Sequence, residues 1–191
     1  MARVEFNPAL AFFRGELGNL IFKVRSGRMY VSHKPDPKPR VCTPAQRAAR
    51  MRFGQATVYA KQIMSDPVRR KPYDLAAKGR GTLTQNVIIA DFLTAPSVDL
   101  IDLREYNGRA GRAIRITASD DFEVAAVGVS ISDGNGQTIE QGQAALSSMR
   151  CGQWIYTTAE SLPPGTRIRV EATATDAPGN SGTKAEELVV S

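Results

Sequence analysis

From Thr43 onward the apolar residues of this chain change their spacing once, at Ala95-Pro96, and that change limits what the chain can fold into. Between Thr43 and that point they recur every three or four residues. In TPAQRAARMRFGQATVYAKQIMS (43–65), Ala49, Phe53, Ala56, Ala60 and Ile63 form one helical stripe. Thr43 reads as its N-cap, Pro44 as its first helical residue and Gln46 as the partner in a capping box. Downstream the pattern alternates. Candidate strands are Val98–Leu103, Arg112–Ala118, Val124–Ser132, Thr138–Gly142, Gln153–Thr158, Thr166–Thr175 and Glu187–Val190. Turn clusters such as Asp133-Gly134-Asn135-Gly136 and Pro163-Pro164-Gly165 separate them. Short strands punctuated this regularly indicate a β-sandwich over residues 97–191.

The first 95 residues predict an α+β module: a β-hairpin plus three short helices. Leu20, Phe22 and Val24, then Met29 and Val31, alternate with polar neighbours around a turn at Ser26-Gly27. Pro35, Pro37 and Pro39 then exclude helix and ladder pairing, so SHKPDPKPRVC (32–42) reads as an extended arm. The arm is either a stiff connector or a basic strap. Asp66-Pro67 starts a second helix expected to stop near Lys78-Gly79, with Pro72 kinking or shortening it. Thr84 is expected to cap a third, carrying Val87, Ile88, Phe92 and Leu93. The stripe of the first helix should face Val87, Phe92 and the hairpin, which makes Phe53 a core residue.

Charge is divided along the same line. Residues 1–95 hold 17 Lys/Arg against 6 Asp/Glu, whereas residues 96–191 hold 8 against 13. A basic half of net +11 joined to an acidic half of net −5 suggests a polyanion-facing module beside a separate one. Opposite halves of neighbouring copies attracting each other would explain it equally. The candidate nucleic-acid contacts are Lys23, Arg25, Arg28, Lys34, Lys38, Arg40, Arg47, Arg50, Arg69, Arg70, Lys71, Lys78 and Arg80. Arginine predominates, and its planar fork suits phosphate. Such contacts give affinity without reading sequence.

Catalytic signatures are missing. The one histidine, His33, lies in the Pro-rich arm, and nucleophile–base chemistry needs an activated residue with an orienting partner. Cys42 and Cys151 sit in different halves with no metal-type spacing, so two free thiols, or a bridge between the halves in an oxidising compartment, are expected rather than a zinc site. The GRG and GNG segments lack the strand–turn–helix context of a phosphate loop. Asp120, Asp121 and Asp176 are a candidate calcium set, because their loops would share one end of the sandwich. No window approaches the length of a membrane span, and MARVEFNPALAFFRGELG does not read as a signal peptide. Cytoplasmic synthesis is therefore expected, with a virion-like or extracellular destination left open.

The second half resembles bacterial immunoglobulin-like domains, through ITASDDFEVAAVGVSISDGNG, LPPGTRIRVEATATDAPGN and the closing strand. The first half resembles an uncharacterised group of bacterial and phage-like proteins, through RGELGNLIFK, GRMYVSHKP, TPAQRAARMRFGQATVYA and the Arg69–Tyr73 spacing. The first resemblance implies an immunoglobulin-like sandwich, and the second a structural or assembly role. The expectation is a non-enzymatic protein that self-assembles into an array or filament. Its basic module would contact nucleic acid and its sandwich would be exposed. Adhesion or carbohydrate binding through the sandwich is the alternative.

Overall fold

The computed structural model describes residues 2–3, 13–25, 28–35, 41–148 and 152–190. The chain forms two compact units, Met1–Thr43 and Pro44–Ser191. No helix among the described residues is long and apolar enough to cross a membrane.

The first unit is a four-stranded antiparallel sheet. Its strands are β1 (Ala2–Arg3), β2 (Gly15–Leu17), β3 (Leu20–Arg25) and β4 (Arg28–His33), in the order β1-β4-β3-β2. The expected hairpin is thus the centre of a wider sheet, with Phe22 opposite Val31 and Val24 opposite Met29. Its turn at Ser26-Gly27 lies outside the described residues, as do Pro37 and Pro39 of the arm.

The second unit begins with α1 (Pro44–Ser65), α2 (Pro67–Arg80) and α3 (Thr84–Leu93). Asp66 caps α2, its carboxylate accepting from the amides of Val68 and Arg69 at 2.9 and 3.2 Å. Four sequence expectations need correction here. The α2 helix does not stop at Gly79. It runs to Arg80, where Gly81 at φ 62° supplies the left-handed cap that side-chain-bearing residues resist. Of the two outcomes expected at Pro72, the shortened helix is excluded, since α2 continues through it. Thr84 is the first residue of α3 rather than its cap, and its hydroxyl donates to Asp74 Oδ1 at 2.6 Å. The α1 stripe is buried only from Ala56 onward, through Ala60 and Ile63. Ala49 is exposed and Phe53 is 53% exposed, because the helix extends past the elements it packs on. The helical core joins Ala60, Ile63, Tyr73, Ala77, Val87 and Ile88. Phe92 packs at its edge, its ring 5.3 Å from that of Tyr59.

Eight strands follow: β5 (Ser97–Asp102), β6 (Ala113–Ser119), β7 (Val124–Asp133), β8 (Thr138–Gln143), β9 (Ala145–Leu146), β10 (Gln153–Thr157), β11 (Arg167–Asp176) and β12 (Ser181–Val189). They form two antiparallel sheets, β5-β6-β10-β9 and β12-β11-β7-β8. The two enclose one core in which Ile114, Ile116, Val127, Ile131, Ile168 and Val170 are almost wholly buried. Each such side chain contributes about 1.5–3 kcal/mol of apolar burial. Trp154 and Tyr156 belong to this core, one residue apart on the inward side of β10. Two features escaped the sequence. The last strand begins at Ser181 rather than Glu187, and the short β9 is additional. The chain is therefore a mostly β protein, an α+β arrangement of three helices combined with a β-sandwich.

Ala95-Pro96 marks the change from helix to strand within the second unit, and several contacts tie the two parts there. Asn180 Nδ2 donates to the carbonyls of Phe92 and Thr94, at 3.1 and 3.4 Å. Gly182 leaves room for the Pro96 carbonyl, since a Cβ at that position would lie 2.0 Å from its oxygen. Phe122, from the β6–β7 loop, stacks on Tyr73 of α2 with centroids 4.1 Å apart and an interplanar angle of 11°.

Candidate functional site

The predicted cationic residues fall into distinct settings. In the first unit, strand alternation separates the two faces of the sheet. Lys23 and Arg28 lie exposed on one face with Ile21, Tyr30 and Ser32. The backbone register pairs Arg25 with Arg28. Lys34 is drawn to Glu16, Nζ to Oε2 at 2.6 Å, an exposed pair of small energetic weight. Lys38 and Arg40 lie outside the described residues.

In the second unit, Arg47 and Arg50 are exposed on the first three turns of α1, a region in which every residue from 44 to 55 is exposed. Lys71 and Lys78 are exposed two turns apart on α2. Three further predicted cations there, Arg69, Arg70 and Arg80, sit against named groups of the fold. The Arg69 guanidinium sits 5.9 Å from the ring centroid of Tyr59. Arg70 pairs with Asp74 one turn on, at 3.0 Å. Asp74 also accepts from the Thr84 hydroxyl, and these two bonds, Thr84 first, hold its carboxyl below the usual range. Arg80 reaches from the end of α2 to Asp121 on the sandwich, at 3.2 Å, and also donates to that residue's carbonyl. Arg70 thus braces the Asp74 that joins α2 to α3, and Arg80 fastens α2 to the sandwich.

The candidate calcium carboxylates come to one end of the sandwich, as their loops require, but serve as turn formers. Asp120 Oδ2 accepts from the amides of Phe122 and Glu123, both at 3.1 Å. Asp176 Oδ1 accepts from the amides of Gly179 and Asn180, at 2.7 and 2.6 Å. Asp121 holds Arg80. Among the described residues, no group of three or more His, Cys, Asp or Glu side chains is placed to hold a metal.

These carboxylates surround a residue the sequence reading missed. Asp91 of α3 is 0% exposed. Its Oδ2 accepts from the Tyr73 hydroxyl at 2.6 Å, while its Oδ1 has no hydrogen-bond partner among the described residues. Burial pushes its carboxyl up to about 6. The Tyr73 bond opposes that shift, and the charges of Asp120, Asp176 and Asp121 reinforce it. Burial, joined by the Asp91 charge and hydrogen bond, raises the Tyr73 hydroxyl as well. A signal was present in the sequence. Asp91 follows Val87 and Ile88 by four and three residues, on the buried stripe of α3.

The sandwich offers a different surface. On the outer face of β12-β11-β7-β8, two open troughs of about 490 and 550 Å³ share Ser130 and Glu171. The first continues over Gly128, Gln141, Gln143 and Thr173, the second over Ser132, Asn135, Arg167 and Arg169. This polar lining alternates along the strands with buried Val129, Ile131, Ile168 and Val170.

No family model matches the chain, and no curated protein matches it in sequence. Among solved structures it is similar to CopC from Methylosinus trichosporium OB3b, at 16% identity over 49% of this chain and 91% of that one, with a TM-score of 0.37. It is also similar to a tetra-tandem repeat in the extending region of a large adhesion protein, at 20% identity and a TM-score of 0.36. That match covers 51% of this chain and 24% of the other. The N-terminal part of the bacterial S-layer protein SbsC matches at 14% identity and a TM-score of 0.35, over 75% of this chain and 40% of that one. Likenesses at this level assign no function.

Proposed function

We propose that this is a non-enzymatic structural protein that assembles into a repeating array or filament, with its cationic residues contacting the backbone of DNA or RNA. The observation that carries the reading is the N-terminal sheet. It exposes Lys23 and Arg28 on one face, and none of residues 13–24 and 28–35 is buried. A sheet with an apolar side and no second layer is incomplete as a folding unit. The exposed start of α1, with Arg47 and Arg50, adds cations that extend beyond the helical core. The sandwich would then decorate the assembly. An immunoglobulin-like topology is supported by its strand order. β5-β6-β10-β9 corresponds to an A-B-E-D sheet, and β12-β11-β7-β8 to a G-F-C sheet with one added edge strand.

Salt dependence tests the nucleic-acid contact. Binding of the full chain to duplex and single-stranded nucleic acid should weaken steeply as salt rises. Each phosphate contact removed by Lys23→Gln, Arg28→Gln or Arg47→Gln should reduce the log–log slope by about 0.7–0.9. Arg70→Gln, which breaks a pair within the fold, should leave the slope unchanged. Salt-insensitive binding, or none, rejects the contact.

The second reading, adhesion or carbohydrate binding through the sandwich, is favoured by the troughs over Ser130 and Glu171. Their hydroxyl, amide and charged groups suit sugar hydroxyls. A glycan bound by the full chain and lost on Ser130→Trp, which fills the trough, would establish it. A glycan screen without binding removes it.

A further inference from the structure

The N-terminal sheet has two unlike faces. One carries Lys23 and Arg28. The other, by strand alternation and register, carries Leu17, Leu20, Phe22, Val24, Met29 and Val31. Leu17 remains 59% and Val24 41% exposed, and the Phe13 ring lies 5.8 Å from that of Phe22. We propose that this apolar face packs against the same face of a second copy of the chain, sheet on sheet across a two-fold axis. The inference rests on the assembly reading above and names the surface that mediates it.

Charge selects the face. Among the described residues, His33 is the one ionisable side chain that alternation puts on the apolar side, at its rim. Two copies can therefore meet there without bringing like charges together. Apposing the opposite faces would instead set Lys23 and Arg28 against their own kind. Two such sheets stack about 10 Å apart, the spacing of ordinary β-sandwiches. Both basic faces then point outward, available to a polyanion.

Area selects a second copy over a single large partner. Two central strands of six residues with shorter flanking strands present a face of roughly 15 by 20 Å, from strand spacings of about 4.8 Å and rises of about 3.3 Å. That is well below the roughly 800 Å² per partner of a standard stable interface. A contact this small is weak when made once. It becomes effective when every copy in an assembly, or along a shared nucleic-acid strand, repeats it.

The test is analytical ultracentrifugation of the full chain across the micromolar range, with and without nucleic acid. Phe22→Glu combined with Val31→Glu should weaken association by about 100-fold or more, since each carboxylate would be buried without a partner. Lys23→Gln should leave protein–protein association intact. A second measurement guards against misfolding of the double variant. In the unmodified chain, amides of Leu20–Arg25 and Arg28–His33 should exchange more slowly as concentration rises. Assembly that survives the double substitution, or mass that grows with no added protection of these strands, overturns the proposed face and leaves the assembly reading standing. A chain that stays monomeric in every condition overturns both. So does concentration-independent protection of these strands in a monomer, the sign of an apolar face already covered within one chain.

Discussion

The two compact units of this protein solve the problem of burial in opposite ways. Pro44–Ser191 encloses a helical core and a sandwich core, and Phe122 bridges them by packing on Tyr73. The sheet of Met1–Thr43 has six apolar residues on one face, yet none of residues 13–24 and 28–35 is buried. The apolar material is similar in kind, mostly aliphatic residues with an aromatic among them. The difference is the second layer. A strand pattern specifies which residues share a face, but only another layer removes that face from water. The sandwich has two such layers, and the described residues of Met1–Thr43 form one.

Core truncation should expose this contrast most strongly. Ile116→Ala or Ile168→Ala should cost about 2–5 kcal/mol in denaturant unfolding, because both residues are 0% exposed. Val31→Ala in the N-terminal sheet should change unfolding of the isolated chain by well under 1 kcal/mol, since large losses come from buried positions. Equal losses at both places would mean that the sheet already has a complete core.

The next effect concerns Asp91. Its carboxyl titrates at about 6 when folded, against 3.8 for an ordinary aspartate. The folded state therefore binds the extra proton between these values. This group's contribution is most favourable below about pH 4 and is lost as pH rises through about 6, leaving it destabilising at neutral pH by about 3 kcal/mol. Asp91→Asn should raise the melting temperature at pH 7.5 and flatten the profile between pH 4 and 6. An Asn variant that melts lower at pH 7.5 would show that the ionised carboxylate is needed. Tyr73→Phe should act in the opposite direction at neutral pH. Losing the donor to Asp91 Oδ2 should cost about 1–3 kcal/mol and move the titration higher, as a pH series of melts would show. The smallest expected effect is that of calcium. With Asp120 and Asp176 engaged by backbone amides and Asp121 by Arg80, added calcium or chelator should leave the melting temperature unchanged.

Much of the fold was legible from periodicity and punctuation. Seven strands of the sandwich and all three helices follow from apolar spacing and turn clusters, and Asp66-Pro67 marks the start of α2. What escaped depends on tertiary contact. Phe53 has the right spacing for the core, but helical spacing cannot reveal where the neighbouring helices end. Pro72 breaks the local hydrogen-bond pattern, yet α2 continues through it with Tyr73 and Ala77 buried beyond. The extended β12 carries Gly182, Lys184 and Glu186 in place of an apolar alternation, and Gly182 is explained only by the approach of Pro96. At the candidate site, sequence located the cations but not their partners. Nothing in the spacing of Arg80 and Asp121 joins them across 41 residues.

Electron microscopy of the purified full chain, with its ultraviolet absorbance ratio read on the same sample, tests the central claim most directly. Periodic filaments or arrays whose absorbance reports bound nucleic acid, dispersed by high salt or by the paired Phe22→Glu and Val31→Glu substitutions, are the predicted result. Monodisperse single chains, free of nucleic acid at every salt concentration and unchanged when nucleic acid is added, would contradict it.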